Sequence, residues 1–488
     1  MLASGTISTR WPATLPVHLM SSRLFLSITM TLLLTGLSAQ QHDRLSFMGY
    51  GSSIVPPLGG MVVDFRYSPP RITKQNNQIN FYVSAGSCSD SSGHLLYYTN
   101  GIEIRNALRN RMQDGDSINA ISYFWKEWKE DGYPSITPMF SVPFPGHPHQ
   151  YVLFHQGIRQ GTLPSGILSL EFPLMHTLID MNQNSGQGRV ISKNQMMVSD
   201  SAISTVVVKH GNGRDWWVIS GIHSDPSSLV FLLSDSGLHG PFVEAYGPAF
   251  LGGEDAGLST ISPDGRTYVR VTARSGLRLF DFDRCTGRLT NLRIIPYEKS
   301  LRVYSALYSA DSRFLYLSYP DVTTVMDMWA PDPALTLDTI AYYDGFATPL
   351  PFSTGFFTGQ LHEDGKIYYA TTNSTLALHV IHHPELPGLA ANLQQHGITL
   401  PVYNDGTMCR FPNYRLGRWA GSPCDTLPFA GPVEERFRHL PYEAQREPDT
   451  LHWRVLSPLR GSGLPEPDMP DPQTWLLQKG PPAWRKKE

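Results

Sequence analysis

One phrase recurs along the chain and limits what it can fold into. A polar turn of Gly, Asp, Asn or Ser is followed at once by four to six residues rich in Tyr, Trp, Val, Ile and Leu. It stands at Asp90-Ser-Ser-Gly-His-Leu-Leu-Tyr-Tyr, Pro145-Gly-His-Pro-His-Gln-Tyr-Val-Leu-Phe, Gly211-Asn-Gly-Arg-Asp-Trp-Trp-Val-Ile, Ser262-Pro-Asp-Gly-Arg-Thr-Tyr-Val, Ala310-Asp-Ser-Arg-Phe-Leu-Tyr-Leu and Glu363-Asp-Gly-Lys-Ile-Tyr-Tyr-Ala. Each reads as a hairpin turn feeding a buried strand. With Gly213, Gly265, Ser312 and Gly365 as markers the intervals are 52, 47 and 53 residues. That period suits one four-stranded blade of a β-propeller.

The next strand of a blade is visible at Gly276 to Asp283, where Leu277, Leu279, Phe280 and Phe282 are broken by polar residues before the turn at Cys285-Thr-Gly. Such alternation is expected where one face packs on a neighbouring sheet. Six phrases give six blades, and Met61 to Tyr67 together with Phe411 to Leu416 supply a closing one. The expected fold is therefore an all-β propeller of seven four-stranded blades over residues 40–430, with six or eight still open. Composition agrees: 42 Gly and 39 Pro punctuate the chain, and 22 Tyr with 22 Phe supply strand formers. A formal charge of -3 gives no broad field for phosphate backbones, so nucleic acid is not an expected partner.

Ser21, Ser22 and Arg23 form a short basic start, Leu24 to Leu37 is mostly apolar, and Leu37-Ser-Ala39 offers a small-residue cleavage site. This is the layout of a secretory signal peptide, too short in its apolar core to span a bilayer comfortably. Residues 1–39 are read as an N-terminal extension and signal peptide with Met20 as the start, and no transmembrane span is expected in the mature chain. Export to the extracellular space or cell surface follows, with the periplasm left open. Residues 431–488, dense in Pro and Gly towards the end, are expected to be a largely disordered tail. The stretch Trp125 to Tyr133 is expected to be a loop inserted between strands, because Pro134 bars its simple extension as a helix.

Several longer phrases resemble a known family. Val208-Lys-His-Gly-Asn-Gly-Arg-Asp-Trp-Trp, Phe280-Asp-Phe-Asp-Arg-Cys-Thr-Gly, Phe411-Pro-Asn-Tyr-Arg-Leu-Gly and Gly421-Ser-Pro-Cys-Asp-Thr-Leu are similar to those of secreted propeller proteins from bacteria with type IX secretion. The likeness runs from about residue 45 to 427. It implies a lactonase-like or WD-repeat-like propeller with YVTN-like repeats, and no established reaction. The alternating strands and Tyr-Pro-Asn-Pro opening of a C-terminal sorting domain are missing after Leu427.

Four cysteines, Cys88, Cys285, Cys409 and Cys424, are too scattered for a disulfide-built scaffold or a CxxC metal site. Connectivity cannot be read from spacing; Cys409 and Cys424 are the pair nearest in sequence and the expected disulfide. His147, His149 and His155, with His382 and His383, raise the question of zinc, but their placement in a turn and beside a strand does not imply convergence. Glu254 and Asp255 on the Gly-rich loop Gly252 to Gly257 could hold Ca²⁺ or act as acid and base, although a turn with solvated carboxylates is the favoured reading. Ser262-Pro-Asp-Gly and Glu363-Asp-Gly are read as turns. Trp216 and Trp217, adjacent on a strand, must face opposite ways, so at most one could stack on a sugar.

No nucleophile elbow, phosphate-cradling glycine loop or His-Glu-x-x-His helix is present. The catalytic residues are thus unassigned and no cofactor is expected beyond an open question over Ca²⁺. The sequence favours a non-catalytic propeller that binds or scaffolds an envelope or extracellular protein or glycan. The alternative is a lactonase-like hydrolase with a metal or carboxylate site in the central channel. Carboxylates and His clustered at the channel mouth would favour the enzyme, and an apolar aromatic patch on one face would favour binding.

Overall fold

The computed structural model describes Met1 and residues 40–425, apart from 52–56, 163–167, 200–201, 224, 245–246, 249–256, 273–275, 297–302 and 350–351. Among the described residues, seven antiparallel blade sheets and one separate two-stranded hairpin follow one another along the chain. The first holds β1 (Leu45–Gly49), β2 (Gly60–Asp64) and β3 (Arg71–Gln75), and the second β4 (Gly86–Ser89), β5 (Leu95–Thr99) and β6 (Ile104–Asn106). The third contains β7 (Phe140–Pro143) and β8 (Gln150–Gln156), then a separate hairpin of β9 (Arg159–Thr162) and β10 (Leu168–Glu171), then β11 (Leu174–Asp180) and β12 (Arg189–Val198). The fourth is β13 (Ala202–Lys209), β14 (Trp216–Ile222), β15 (Asp225–Ser234) and β16 (Gly237–Glu244). The fifth is β17 (Thr260–Ile261), β18 (Thr267–Val271), β19 (Leu277–Phe282) and β20 (Leu289–Ile295). β21 (Ser305–Tyr308), β22 (Phe314–Ser318), β23 (Val322–Asp327) and β24 (Asp338–Tyr342) make the sixth, and β25 (Phe356–Leu361), β26 (Ile367–Thr371), β27 (Ser374–Ile381) and β28 (Leu393–Asp405) the seventh. This is a seven-bladed β-propeller.

All six sequence phrases occupy the same place, the turn from the innermost strand of a blade to its second strand. Gly93, Gly146, Gly213, Gly265, Ser312 and Gly365 all adopt a left-handed φ, between 64° and 84°. The reason is geometric: a two- to four-residue reversal between twisted antiparallel strands needs a residue with positive φ, which Gly supplies without a Cβ clash. The local surroundings set the cost of a side chain there. A Cβ on Gly365 would meet nothing within 4 Å, whereas one on Gly265 would lie 2.7 Å from Arg284 Cδ and 2.8 Å from Leu416 Cδ2. Gly365→Ala is expected to cost about 1 kcal/mol and Gly265→Ala about 2–3 kcal/mol, the first from backbone strain alone and the second from strain plus a forced shift. Urea unfolding of the two variants checks this; equal losses would mean the contact at Leu416 yields freely.

The blades pack through alternating faces. Trp216 belongs to the core shared with Phe140, Val152 and Phe154 of the third blade, while Trp217 packs with Tyr268, Phe280 and Phe282 of the fifth. Both indoles are fully buried, and Trp217 Nε1 donates to the Arg284 carbonyl at 2.8 Å. Neither can serve as a sugar platform. Met48, Met61 and Val63 of the first blade pack on Tyr368, Leu378 and Val402 of the seventh, which closes the ring.

The closing blade draws on both ends of the chain, with one strand the sequence reading left out. β1 pairs with β2, and the segment Met408 to Leu416 runs between β1 and the channel, where Cys409 N–H donates to Ser46 Oγ at 3.1 Å. This segment forms no ladder; Gln360 instead clamps it, its side chain accepting from Phe411 N–H at 3.1 Å. The second blade also has three strands, with a single bridge between Arg105 and Arg111 where a fourth would run. The stretch expected as a loop carries a short helix, α1 (Tyr123–Trp128), which ends at Lys129, before Pro134 has any effect.

The expected Cys409–Cys424 disulfide is not formed. Cys424 is bonded to Cys285, and Cys409 is a buried free thiol. Cys409 lies on the innermost segment facing Ser46, whereas the chain then crosses the channel mouth to the turn after β19, which brings Cys424 to Cys285. The signal-peptide region, the tail from 431, and Glu254 and Asp255 lie outside the described residues. Among the described residues no helix is long and apolar enough to cross a membrane.

Candidate active site at the channel mouth

The innermost strands surround a cavity of about 330 Å³ at the end of the channel where the six marked turns lie. Its wall includes Val206, Val207 and Val208 of β13, Leu307 and Tyr308 of β21, Gln360 and Leu361 of β25, and the C-terminal segment from Arg410 to Leu416. Three stretches far apart in sequence bring charge to this mouth: Asp43 just ahead of β1, His362 and Glu363 on the turn after β25, and Arg415.

Arg415 is the hub. Nη1 and Nη2 donate to the two Asp43 carboxylate oxygens at 2.7 and 3.0 Å, and Nη2 and Nε donate to Glu363 Oε2 at 2.6 and 3.1 Å. Arg44 Nη1 donates to the other Glu363 oxygen. A guanidinium has five N–H donors in a rigid fork, so this arrangement leaves one Nη1 hydrogen uncommitted on a residue that lines the cavity. Arg415 is itself fixed in place. Asn413 Oδ1 accepts from its backbone N–H at 3.1 Å, Tyr414 O–H donates to the Ser141 carbonyl, and Arg284 Nη2 donates to the Gly417 carbonyl at 2.6 Å. The disulfide to Cys285 anchors the segment beyond.

Burial pushes the Asp43 carboxyl up to about 6, with the negative charge of Glu363 adding to the shift and Arg415 opposing it. His362 stacks on Phe65 with ring centres 3.3 Å apart, and its Nε2 has no hydrogen-bond partner. Burial holds its imidazole well below the ordinary value, so it is neutral at pH 7. A carboxylic acid brought towards neutrality beside a second carboxylate, in a cavity of ligand size, is the arrangement found where proton transfer is required.

The histidines considered for metal binding do not converge. His155 is buried between Asn119 Oδ1 at 2.7 Å and Thr177 Oγ1 at 2.9 Å, which gives it a structural role. His147 meets the Asp235 carbonyl at 2.9 Å, His382 meets Gln394 at 2.9 Å, and His383 lies 3.5 Å from Glu385. Among the described residues no group of three or more His, Cys, Asp or Glu is placed to hold a metal ion.

Glu363 was readable only as part of a turn, and the structure separates its role from that of its neighbour. Asp364 Oδ1 accepts from Lys366 N–H at 3.2 Å and does the turn's work, leaving Glu363 to the ion-pair network. One signal could have marked it. At the position two before the left-handed residue the six phrases carry Ser91, Phe144, Gly211, Pro263, Ala310 and Glu363, and only the last is charged.

No protein-family model matches the chain, and no curated protein matches it by sequence. Solved structures do overlay on it. A candidate 6-phosphogluconolactonase from Bacteroides uniformis ATCC 8492 is 14% identical, over 74% of this chain and 97% of its own, at a TM-score of 0.38. The periplasmic gluconolactonase of Pseudomonas aeruginosa is 12% identical, over 75% and 97%, at 0.39. A protein from Lactobacillus plantarum is 13% identical, over 75% and 99%, at 0.39. At such identities and TM-scores these likenesses carry no argument, and the chemistry has to come from the site itself.

Proposed function

We propose that the chain is an exported propeller hydrolase that opens a small ester or lactone at the channel mouth. The observation that carries this reading is Asp43, a buried carboxyl raised to about 6, set at the wall of a cavity with Glu363 and Arg415. Asp43 as carboxylate takes a proton from water while the water oxygen bonds to the carbonyl carbon. The free Nη1 hydrogen of Arg415 faces the oxygen on which negative charge develops. Collapse breaks the bond to the alkoxy oxygen, which receives the proton from Asp43, and a hydroxy acid leaves. Glu363 holds Arg415 and sustains the raised pKa of Asp43. The reaction needs no group beyond water and the residues named.

The test is a panel of five- and six-membered aldonolactones and simple aliphatic lactones with purified protein. Turnover of at least one is expected, with Asp43→Asn lowering kcat/KM by about 10²–10⁴. An unchanged melting transition would show that the variant is folded. A folded wild type that hydrolyses none of these, or an Asp43→Asn variant as active as wild type, overturns the reading.

A second reading, binding without catalysis, is favoured by a different observation. Trp329, Leu335, Tyr342 and Leu389 are exposed at the outer edge of the sixth and seventh blades, around β24 and the short 3-10 turn Gly388–Ala391 that packs on it. An apolar band of this kind suits an envelope or extracellular protein or glycan. It does not compete with the mouth site and would stand if hydrolysis failed.

A further inference from the structure

Cleavage after Leu37-Ser-Ala39 would make Gln40 the first residue of the exported chain. Gln40 is half-buried at a cavity of about 430 Å³ between the turns of the third and fourth blades, which shares no lining residue with the mouth cavity. Next to it, Gln41 N–H donates to the Ser91 carbonyl at 3.4 Å and His42 Nδ1 lies 2.5 Å from the Ser89 carbonyl, so this part of the chain is fastened to the second blade. The Gln40 side chain ends on Lys209, the last residue of β13, whose Nζ donates to Gln40 Oε1 at 2.6 Å. An ammonium has only donors, so the carbonyl end of the amide must face it.

Lys209 is 3% exposed, and its ammonium lies 5.2 Å from the centre of the Trp216 ring. Burial, with the charge of Arg284 adding to it, brings the ammonium down to about 8, so it is mostly charged at neutral pH. The cavity lining holds no Asp or Glu, and the other strong cation there, Arg214, is answered by Asp215 and Asp235. A buried cation with one neutral acceptor polarises that acceptor strongly. A free α-ammonium on Gln40 would add a second positive charge to the residue that Lys209 already touches, which favours the neutral, nucleophilic amine.

We propose that Gln40 closes to pyroglutamate once the signal peptide is removed, with Lys209 as the catalytic residue. The α-amine nitrogen bonds to Cδ, negative charge builds on Oε1 where the Lys209 ammonium donates, and the Cδ–Nε2 bond breaks. The proton lost by the α-nitrogen goes to the leaving nitrogen, and ammonia departs. The product is a neutral lactam that retains the carbonyl, and the charge of the chain start is gone. The inference rests on signal-peptide cleavage at Ala39 and is independent of the hydrolase reading, because neither Gln40 nor Lys209 lines the mouth cavity.

Protein exported by its native host is expected to begin with pyroglutamate at position 40 when its N-terminal peptide is read by mass spectrometry. For the rate, the chain is released from an N-terminal fusion with Gln40 first, and intact mass follows the loss of one ammonia. Folded wild type is expected to cyclise on the order of 10²-fold faster than folded Lys209→Met and than wild type unfolded in urea. The comparison with urea-unfolded wild type decides the matter if Lys209→Met does not fold. An exported chain that starts at another residue overturns the inference together with the cleavage site, whereas an open Gln40 at the start overturns the cyclisation alone. Equal rates in folded and unfolded wild type, or in wild type and folded Lys209→Met, overturn the role of Lys209.

Discussion

Replacing Cys285 with serine is expected to cost the fold about 4–5 kcal/mol, because the Cys285–Cys424 bond closes a loop with a sequence separation of 139 residues. A cross-link of that span removes much of the unfolded chain's freedom. In this chain it also acts locally. Beyond Leu416 the C-terminal segment is held by Arg284 on the Gly417 carbonyl and by Trp419 N–H on the Gly211 carbonyl at 2.7 Å. With the disulfide gone, that end of the segment should fray first, and Arg415 with it, so proteolysis after Arg418 should precede global unfolding. Cys409→Ser leaves the cross-link intact and should cost only about 1–2 kcal/mol for the buried thiol it alters. Urea titration of both variants and a non-reducing peptide map decide the matter. A map joining Cys409 to Cys424, or a Cys409→Ser variant as destabilised as Cys285→Ser, would show that the pairing is wrong.

The blades were legible in the sequence because their turns obey a local rule. A left-handed residue between twisted strands selects Gly, and the hydrophobic run behind it follows from burial on both faces. Gly93, Gly146, Gly213, Gly265 and Gly365 all stand where that rule places them, and Ser312 occupies the sixth turn with the same backbone. The site was not legible, for the opposite reason. Asp43, Glu363 and Arg415 meet only because the ring closes, and no local pattern announces a contact between residues at opposite ends of the chain. The cysteine pairing failed in the same way: nearness in sequence favoured Cys409, while the path of the C-terminal segment across the mouth carried Cys424 to the turn of another blade. β1 was missed because its turn to β2 lacks the recurrent phrase.

On the proposed mechanism, Asp43 ties stability and hydrolysis to the same proton with opposite signs. Its folded pKa of about 6 lies above the ordinary carboxylate value of 3.8, so the folded state holds the proton more tightly than the unfolded one. The stabilisation this gives is fully present below about pH 4 and is lost as pH rises through 6. The change is on the order of 3 kcal/mol for the roughly two-unit difference. Asparagine cannot titrate, so the difference in stability between wild type and Asp43→Asn, measured by urea unfolding from pH 4 to 7.5, isolates this group from every other carboxylate. Wild type should lose ground relative to the variant across that window and level off above it. Hydrolysis needs the carboxylate and should rise with unit slope through the same pH, reaching its plateau where the stability difference reaches its own. Coincident midpoints would mean that the desolvation which weakens the mouth is what makes Asp43 a base matched to neutral pH. A flat stability difference would show that Arg415 has fully offset the burial, leaving a carboxylate too acidic to take a proton from water at a useful rate.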